Sequence, residues 1–362
     1  MAVNFSRLTS PGPHVSPLPF DTICWNKNSV RILDQRFLPG RVVYRDLRTY
    51  QEMAGAIQSL AVRGAPLIGS AAGWGVVLGL LRSRAKTPEA LLKEFRRVAH
   101  ALQATRPTAV NLSWALRRMG EVVRKGKRAP VDAIQASLLV EARRIQEEDR
   151  LTCGKLGRYG AGLIKDGDTV LTHCNAGALG TCGIGTATAA IYTAKAQGKR
   201  FGVFVDETRP VLQGARLTMW ELSRAGVDAT LITDSMAGWM MKSEKVSLVM
   251  VGADRIARNG DAANKIGTYS LAILAGEHKI PFYVSAPLSS FDASLATGEG
   301  ISIEERSPDE VTSWAGLRVA PRGIKVRNPA FDVTPAGYIT ALITEKGILR
   351  KPDTSRLLRL LA

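Results

Sequence analysis

The sequence has 362 residues and a mass of 39.0 kDa, with 45% hydrophobic and 22% charged residues. This composition excludes collagen-like, disordered and disulfide-scaffold proteins, and the length favours two domains over one. Lys and Arg outnumber Asp and Glu by 49 to 32, which gives a net charge of +17. The basic residues are scattered, and their densest run, at residues 124–128, has no interleaved tryptophan or tyrosine. The charge alone therefore does not predict a nucleic-acid-binding surface.

The first 20 residues are rich in proline and lack the apolar core of a signal peptide, so we interpret residues 1–20 as a loose leader. The longest uncharged run, residues 65–81, is too short and too rich in small residues to span a membrane. The four cysteines and four histidines are dispersed and form no zinc-binding spacing. These features predict a cytoplasmic protein without a metal site.

Two short apolar runs, at residues 30–33 and 42–44, open the N-terminal half and predict strands. Apolar residues then recur at intervals of three and four, which is typical of amphipathic helices. The helices are predicted to begin after Pro66, to cover residues 88–102 with Thr87 as N-cap, to follow Asn111, and to run over residues 131–163. We therefore predict a mostly helical domain with a small antiparallel sheet over residues 21–150.

The pattern changes after residue 165, where compact β-branched runs alternate with helical stretches. Strands are predicted at residues 169–172, 201–205, 229–232, 247–251 and 281–284, with helices that include 186–197 and 265–275. Such alternation indicates right-handed βαβ crossovers and a buried parallel sheet. The fold class is therefore α/β, with a Rossmann-like domain over residues 151–362. Ligands of such sheets bind beyond the carboxyl ends of the strands.

Polar or titratable residues follow each of the first four of these strands. They are His173, Cys174 and Asn175, then Asp206–Arg209 with Gln213 beyond, then Thr233 and Asp234, then Asp254 and Arg255. Because the carboxyl ends of parallel strands meet at one edge of a sheet, this edge is the candidate site.

Cys174 and Asp254 each allow two interpretations. A lone cysteine at a strand end is most often a small buried apolar residue, but small residues surround Cys174 in HCNAGALGT and allow a ligand to approach the backbone. Cys182 has no such setting and is interpreted as structural. Asp254 could cap a helix or pair with Arg255. A carboxyl group at the end of a buried strand is alternatively suited to general acid catalysis.

Four further residues are candidates for binding an anion. Arg63 and Arg106 each precede the predicted start of a helix, where the helix dipole favours phosphate, although exposed arginines are commonly only solvated. Asn264 and Lys265 are predicted to open a helix, where they suit phosphate or sugar hydroxyls or simply cap the helix.

Several segments together resemble the methylthioribose-1-phosphate isomerase family. They are RILDQRFLP, AVRGAP, RPTAVNL, THCNAG, DETRPVLQGARLT, VGADRI, NGDAANKIGTY and NPAFDVTPAGYITALITEKGI. The resemblance runs from about Trp25 to Lys346. The resemblance implies a helical N-terminal domain, a Rossmann-like C-terminal domain and a homodimer. It implies that Cys174 and Asp254 are catalytic, and that the substrate is bound by Arg63, Gly64, Ala65, Arg106, Gln213, Asn264 and Lys265.

The implied reaction converts 5-methylthioribose 1-phosphate to 5-methylthioribulose 1-phosphate in methionine salvage, with no cofactor or metal. Asp254 would protonate the ring oxygen, and Cys174 would remove the C2 proton through an enolate or serve a hydride shift. Two alternatives within the fold remain open. One is an isomerase of 5-deoxyribose 1-phosphate or ribose 1,5-bisphosphate. The other is a non-catalytic regulatory subunit that binds a sugar phosphate or nucleotide, as in the related translation-initiation exchange factor. An RNA-binding role rests on the charge alone.

Overall fold

The computed structural model describes Leu18 and residues 20–361, so most of the leader predicted over residues 1–20 lies outside the described residues. The described chain divides into two compact units. The first comprises the residues up to Gly154 together with Gly177–Gly185. The second comprises Lys155–Ala176 and the residues from Thr186 onward. The chain thus leaves the second unit after Ala176 and returns to it at Thr186.

The first unit combines a three-stranded antiparallel sheet with helices. Its elements are β1 (Ile23–Asn26), β2 (Ser29–Leu33), β3 (Tyr44–Leu47), α1 (Tyr50–Gln58), α2 (Ala65–Leu80), α3 (Pro88–Gln103), α4 (Val110–Lys125) and α5 (Val131–Ala161), whose last residues belong to the second unit. The helices predicted from the apolar periodicity are all present, and the Thr87 side chain accepts a hydrogen bond from Ala90 N as the predicted N-cap of α3. The second predicted strand begins two residues later than expected, at Tyr44.

Helix α2 is the centre of the first unit. It is apolar around its whole circumference and almost wholly buried, as expected for a helix enclosed by others. Helices α1, α3 and α4 pack against it. Trp74 is its largest buried side chain, and the indole stacks on Trp25 with ring centroids 5.3 Å apart. The indole Nε1 donates a hydrogen bond of 2.8 Å to Gln146 Oε1, so the buried polar atom of this side chain is satisfied.

The second unit alternates strands and helices. Its strands are β4 (Thr169–Thr172), β5 (Gly202–Asp206), β6 (Ala229–Ile232), β7 (Leu248–Val251), β8 (Arg255–Ala257), β9 (Ala262–Lys265), β10 (Phe282–Ser285), β11 (Phe291–Asp292), β12 (Ser313–Trp314), β13 (Leu317–Arg318), β14 (Phe331–Thr334), β15 (Ala341–Thr344) and β16 (Gly347–Arg350). Its helices are α6 (Ala187–Ala196), α7 (Met219–Arg224), α8 (Ala237–Ser243), α9 (Thr268–Glu277), α10 (Asp309–Thr312) and α11 (Thr354–Leu361).

A seven-stranded sheet of order β16-β15-β10-β7-β4-β5-β6 forms the core of this unit. All neighbours are parallel except β15 and β16, so the predicted α/β class with a Rossmann-like sheet is confirmed. Strands β5 and β6 lie on one side of β4 in the sheet, and β7, β10, β15 and β16 lie on the other side. The order therefore reverses between β4 and β7, and this switch point is where α/β sheets bind ligands.

The structure corrects the sequence prediction at Asn264 and Lys265. These residues do not open a helix: they end strand β9, and helix α9 begins only at Thr268. Strand β9 belongs to a small second sheet of order β11-β8-β9-β14. Its partner β14 lies more than 60 residues further along the chain, and Lys265 pairs with Phe331 in an antiparallel register. The local sequence AANK has little β propensity, so this long-range pairing determines its conformation.

None of the helices within the described residues is long and apolar enough to cross a membrane.

Candidate active site

The first unit contains the predicted substrate residues Arg63, Gly64, Ala65 and Arg106. Arg63 and Arg106 are both half-buried, and each lies shortly before a helix, α2 in the first case and α4 in the second. Neither helix start has a side-chain cap or an acidic residue in its first turn. The N-terminal halves of the two helices lie close together, because a Cβ atom on Gly69 would be 3.0 Å from Asn111 O. Two uncapped N-termini with adjacent arginines form an electrostatic environment that favours an anion.

The segment Gly177–Gly185, which follows Cys174 in the chain, packs into the first unit against Gly64. A Cβ atom on Gly64 would lie 2.4 Å from Gly180 Cα, and Gly64 itself has φ +95°. Two further contacts hold the segment. Gln35 Nε2 donates to Leu179 O at 2.6 Å, and Thr22 Oγ1 donates to Thr181 O at 2.7 Å. Glycine at position 64 thus allows the backbone before α2 to touch the segment directly.

Replacement of Gly64 by alanine is therefore expected to destabilise the protein by about 2 kcal/mol or more, since a Cβ atom would both clash with backbone and strain a positive φ. The midpoint of denaturant unfolding measures this loss. Gly55→Ala is the matched control. Gly55 is exposed within α1 and a Cβ there would meet no atom within 4 Å, so alanine should raise stability by about 0.5–1 kcal/mol. Equal midpoints for the two variants would contradict this account of Gly64.

The second unit contains the other predicted site residues: Cys174, Gln213, Asp254, Asn264 and Lys265. Cys174 lies two residues beyond the end of β4 and has φ +63°, an uncommon conformation for a residue other than glycine. Two threonine hydroxyls hold this peptide. Cys174 N donates to Thr208 Oγ1 at 2.8 Å, and Thr218 Oγ1 donates to Cys174 O at 2.6 Å. A strained backbone fixed in this way at a strand end is typical of functional sites.

The residues that hold Cys174 are themselves tied into a buried polar network. The Asn175 amide donates to Thr218 Oγ1 at 3.1 Å and to Glu221 Oε1 at 2.7 Å. Glu221 is fully buried, and Thr218 lies in a single π-helical turn, Gly214–Thr218, that precedes α7. Short π-helical segments occur frequently at functional sites. The network thus makes the position of the Cys174 peptide depend on α7.

Asp254 and Asn264 are neighbours in the small sheet. Asp254 N donates to Ala263 O at 2.9 Å. Arg255 pairs with Ala263, and extending this antiparallel register by one residue places Asp254 opposite Asn264. Directly opposite residues of antiparallel strands have Cβ atoms about 5 Å apart. The loop after β4 also contacts the residues before Asp254, because a Cβ atom on Gly252 would lie 2.7 Å from Ala176 Cβ. The second unit therefore brings the loops of Cys174 and Asp254 together at the switch point.

Gln213 and Lys265 lie buried in the same unit. Gln213 is 6% exposed, and its Oε1 atom has no hydrogen-bond partner among the described residues. Lys265 is 7% exposed; its Nζ donates to Ala330 O at 2.7 Å and lies 4.4 Å from the centre of the Phe331 ring. A buried amide oxygen without a partner is costly unless a ligand supplies one. Gln213 thus has the property expected of a ligand-binding residue.

His173, Asp206 and Asp234 are the one grouping among the described residues whose nitrogen and carboxylate ligand atoms could suit a metal ion, all within 4.8 Å of one another. Hydrogen bonds already use these atoms. His173 Nδ1 lies 3.0 Å from Asp206 Oδ2, and the two Asp234 oxygens accept the backbone N–H groups of Thr208 and Arg209. We interpret the cluster as a hydrogen-bonded network.

Burial determines the titration of this network. The pKa of Asp206 is raised above its ordinary value because the carboxyl group is buried, although the hydrogen bond and charge of His173 act in the opposite direction. Burial lowers the pKa of His173, but the hydrogen bond and negative charge of Asp206, with the charge of Asp234, outweigh it and leave that pKa raised. Burial also raises the pKa of the Cys182 thiol well above its ordinary value, which disfavours a reactive thiolate there.

Sequence reasoning placed His173, Asp206 and Thr208 at strand ends without identifying their contacts. It did not identify Thr218, Glu221 or Asp332. The carboxylate of Asp332 accepts the N–H groups of Gly267 at 2.7 Å and Tyr269 at 3.0 Å, and so holds the turn after Lys265. No local signal marks these residues, because each acts across a contact between segments distant in the chain.

The fold and the strand-edge residues define an α/β protein of the Initiation factor 2 subunit family, whose sequence profile matches residues 61–351. A methylthioribose-1-phosphate isomerase from Geotalea uraniireducens (strain Rf4) is 54% identical over 333 residues, which are 92% of this chain and 96% of that relative. The chain belongs to the methylthioribose-1-phosphate isomerase family, whose members are aldose–ketose isomerases.

Two solved structures are similar over nearly their whole length. The crystal structure of 5-methylthioribose 1-phosphate isomerase from Pyrococcus horikoshii OT3 has a TM-score of 0.89 and 44% identity, and covers 99% of this chain and 98% of its own. The crystal structure of the translation initiation factor eIF-2B, subunit delta, from A. fulgidus has a TM-score of 0.82 and 42% identity, and covers 94% and 99%.

Proposed function

We propose that the protein is a cytoplasmic aldose–ketose isomerase that converts 5-methylthioribose 1-phosphate to 5-methylthioribulose 1-phosphate in methionine salvage. The observation that carries this proposal is the 54% identity to a relative of that name over 92% of the chain. The neighbour of known structure with a TM-score of 0.89 bears the same name and supports it.

The reaction is demanding because phosphate on the anomeric oxygen prevents spontaneous ring opening. In the proposed mechanism Asp254 donates a proton to the ring oxygen while the bond between C1 and that oxygen breaks. In one route Cys174, as thiolate, takes the C2 proton to form an enol phosphate. Cys174 then returns a proton to C1 while the Asp254 carboxylate takes the proton of the C2 hydroxyl, so that C2 becomes the ketone and both groups regain their starting protonation states. In the other route a hydride moves from C2 to C1, and Cys174 takes the C2 hydroxyl proton. The position of both residues beyond β4 and β7, at the switch point, supports these roles.

Substrate binding is assigned to the remaining candidates. Arg63 and Arg106, with the uncapped starts of α2 and α4, suit the phosphate because they combine guanidinium groups with helix N-termini. The buried Gln213 Oε1 can accept a hydrogen bond from a sugar hydroxyl, which would satisfy an atom that otherwise lacks a partner among the described residues. Gly64 and Ala65 contribute backbone, and Asn264 and Lys265 contribute polar side chains beside Asp254.

Incubation with methylthioribose 1-phosphate in deuterated water, followed by NMR, tests this proposal. We expect the ketose 1-phosphate to accumulate. Deuterium at C1 of that product would assign the enolate route, and its complete absence, with full transfer of the C2 hydrogen to C1, would favour the hydride route. Saturable binding without any product would instead support a non-catalytic subunit that binds a sugar phosphate, and would overturn the isomerase proposal. One of the similar structures is named as a subunit, subunit delta of the translation initiation factor eIF-2B.

We further propose that the protein forms a homodimer through its second unit. Leu231, Met236 and Trp239 are apolar side chains 45%, 44% and 62% exposed, on and after the edge strand β6. Clusters of exposed large apolar residues are typical of interaction surfaces. Sedimentation should therefore give twice the 39.0 kDa of one chain, whereas a monomer at assay concentrations would exclude the dimer.

A further inference from the structure

The His173 imidazole connects two parts of the candidate site within the second unit. Its Nε2 atom lies 2.9 Å from Ile266 O, and its Nδ1 atom lies 3.0 Å from Asp206 Oδ2. A carbonyl oxygen only accepts hydrogen bonds, so Nε2 must carry a proton. Unprotonated Nδ1 and an ionised carboxylate are both acceptors, so the hydrogen bond between them requires one further proton, bound either to Nδ1 or to Asp206. With His173 1% and Asp206 2% exposed, no solvent can replace that bond.

The imidazole anchors the turn that follows strand β9. Ile266 is the residue immediately after Lys265, and the next residue, Gly267, lies close to the ring, since a Cβ atom there would be 3.0 Å from His173 Cε1. Gly267 has φ +101°, and its N–H donates to Asp332. In the chain, Cys174 directly follows His173. A shift of the imidazole would therefore displace the turn beyond Asn264 and Lys265.

We propose that His173 and Asp206 are a positioning pair for the isomerase reaction: the proton between them orients the imidazole so that its Nε2–H holds the Ile266 carbonyl, and with it Asn264 and Lys265. Neither residue is assigned a contact with the substrate. This inference rests on the proposed function, because it takes Asn264 and Lys265 to bind the sugar phosphate.

Loss of the shared proton at alkaline pH should release this anchor. Without it, the lone pair of Nδ1 faces an ionised carboxylate, and the two repel each other. The raised pKa values of His173 and Asp206 both act to keep the proton bound at neutral pH, so the anchor is intact below the pKa of the pair and is lost as the pH rises through it. Within the part of the chain that the structure describes, the other charged groups near the pair include Asp234, 4.0 Å from Nδ1, and Asp332, with Glu207, Arg209 and Lys265 beyond them.

The Asp206→Asn variant removes the titrating proton between the two side chains but keeps the orientation of the imidazole. An asparagine amide can donate to Nδ1 of a neutral imidazole that keeps its Nε2 proton, so the orientation survives without a titrating proton. In the wild type we expect KM for methylthioribose 1-phosphate to rise at alkaline pH. In Asp206→Asn that rise should disappear. The same alkaline rise in both proteins, or no rise in the wild type, would overturn the proposal.

His173→Asn tests the anchor itself, because its amide can still reach Asp206 but not Ile266. We expect KM to exceed the wild-type value about tenfold at neutral pH, where the wild-type anchor is intact, with a smaller change in kcat, since one buried hydrogen bond is lost on the binding side. The two KM values should converge at alkaline pH, where the wild type also loses the anchor. Unchanged KM with only a smaller active fraction would show a merely structural role and would overturn the proposal.

Imidazole 15N shifts give a readout independent of turnover. The Nδ1 resonance should move as the pH rises above neutral in the wild type and stay fixed in Asp206→Asn. This distinguishes failure of the pair from failure of the isomerase assignment.

Discussion

Cys174→Ala is expected to lower kcat by about 10²–10⁴-fold, because it removes the group proposed to move a proton at C2. The side chain is half-buried, and the peptide at φ +63° is held by backbone bonds to Thr208 and Thr218 that alanine preserves. The fold should therefore survive. Steady-state kinetics with methylthioribose 1-phosphate measure the loss, and circular dichroism checks the fold.

Cys24→Ala is the matched control for this change. Cys24 is also half-buried, but it lies on β1 in the other unit, and burial raises the pKa of its thiol. Its removal should leave kcat within about threefold of the wild type, as expected for a substitution outside the site. A Cys174→Ala variant that turns over as fast as Cys24→Ala would remove Cys174 from the mechanism.

Asp254→Asn is expected to lower kcat by a similar factor, about 10²–10⁴-fold, with little change in KM. Asparagine has the shape of aspartate, and the backbone bond from residue 254 to Ala263 O is unaffected, so the local ladder should remain intact. The amide cannot deliver a proton to the ring oxygen. Binding of a product analogue, measured by calorimetry, should accordingly persist while turnover is lost.

Asp228→Asn provides the comparison, since Asp228 is exposed and precedes β6 at the opposite, amino end of the parallel strands. It replaces the same type of side chain by an amide in the same unit and should leave turnover unchanged. Near wild-type kcat in Asp254→Asn would exclude this residue as the acid. Loss of binding together with turnover would indicate that its role is in binding.

The large sheet could be predicted from sequence because its strands are compact, β-branched and separated by helical periods. Strands β4 and β6 occur at the predicted residues. The small sheet could not, because β9 is formed by Ala262–Lys265, whose partner β14 is far along the chain. Asn264 and Lys265 were consequently predicted at the start of a helix that begins only at Thr268. Long-range pairing overrides local propensity at such short strands.

The candidate site, like the fold, could be predicted from the sequence only in part. Cys174 and Asp254 could be selected from sequence because parallel strands place their carboxyl ends at one edge. The contacts that hold them could not, since Thr218 reaches Cys174 O from 44 residues away and His173 reaches Ile266 O from 93 residues away. The return of Gly177–Gly185 to the first unit could not be predicted either, because it depends on contacts with residues distant in the chain, such as the close approach of Gly64 to Gly180.

The most direct test of the account is the initial rate of the purified protein on three substrates: methylthioribose 1-phosphate, 5-deoxyribose 1-phosphate and ribose 1,5-bisphosphate. We expect the highest kcat/KM with the methylthio sugar, the compound in the name of the relative that is 54% identical. The bisphosphate should be the poorest substrate, because the residues assigned to binding provide one phosphate site, at Arg63 and Arg106. No turnover of any of the three, with binding retained, would contradict the assignment of Cys174 and Asp254 as a catalytic pair.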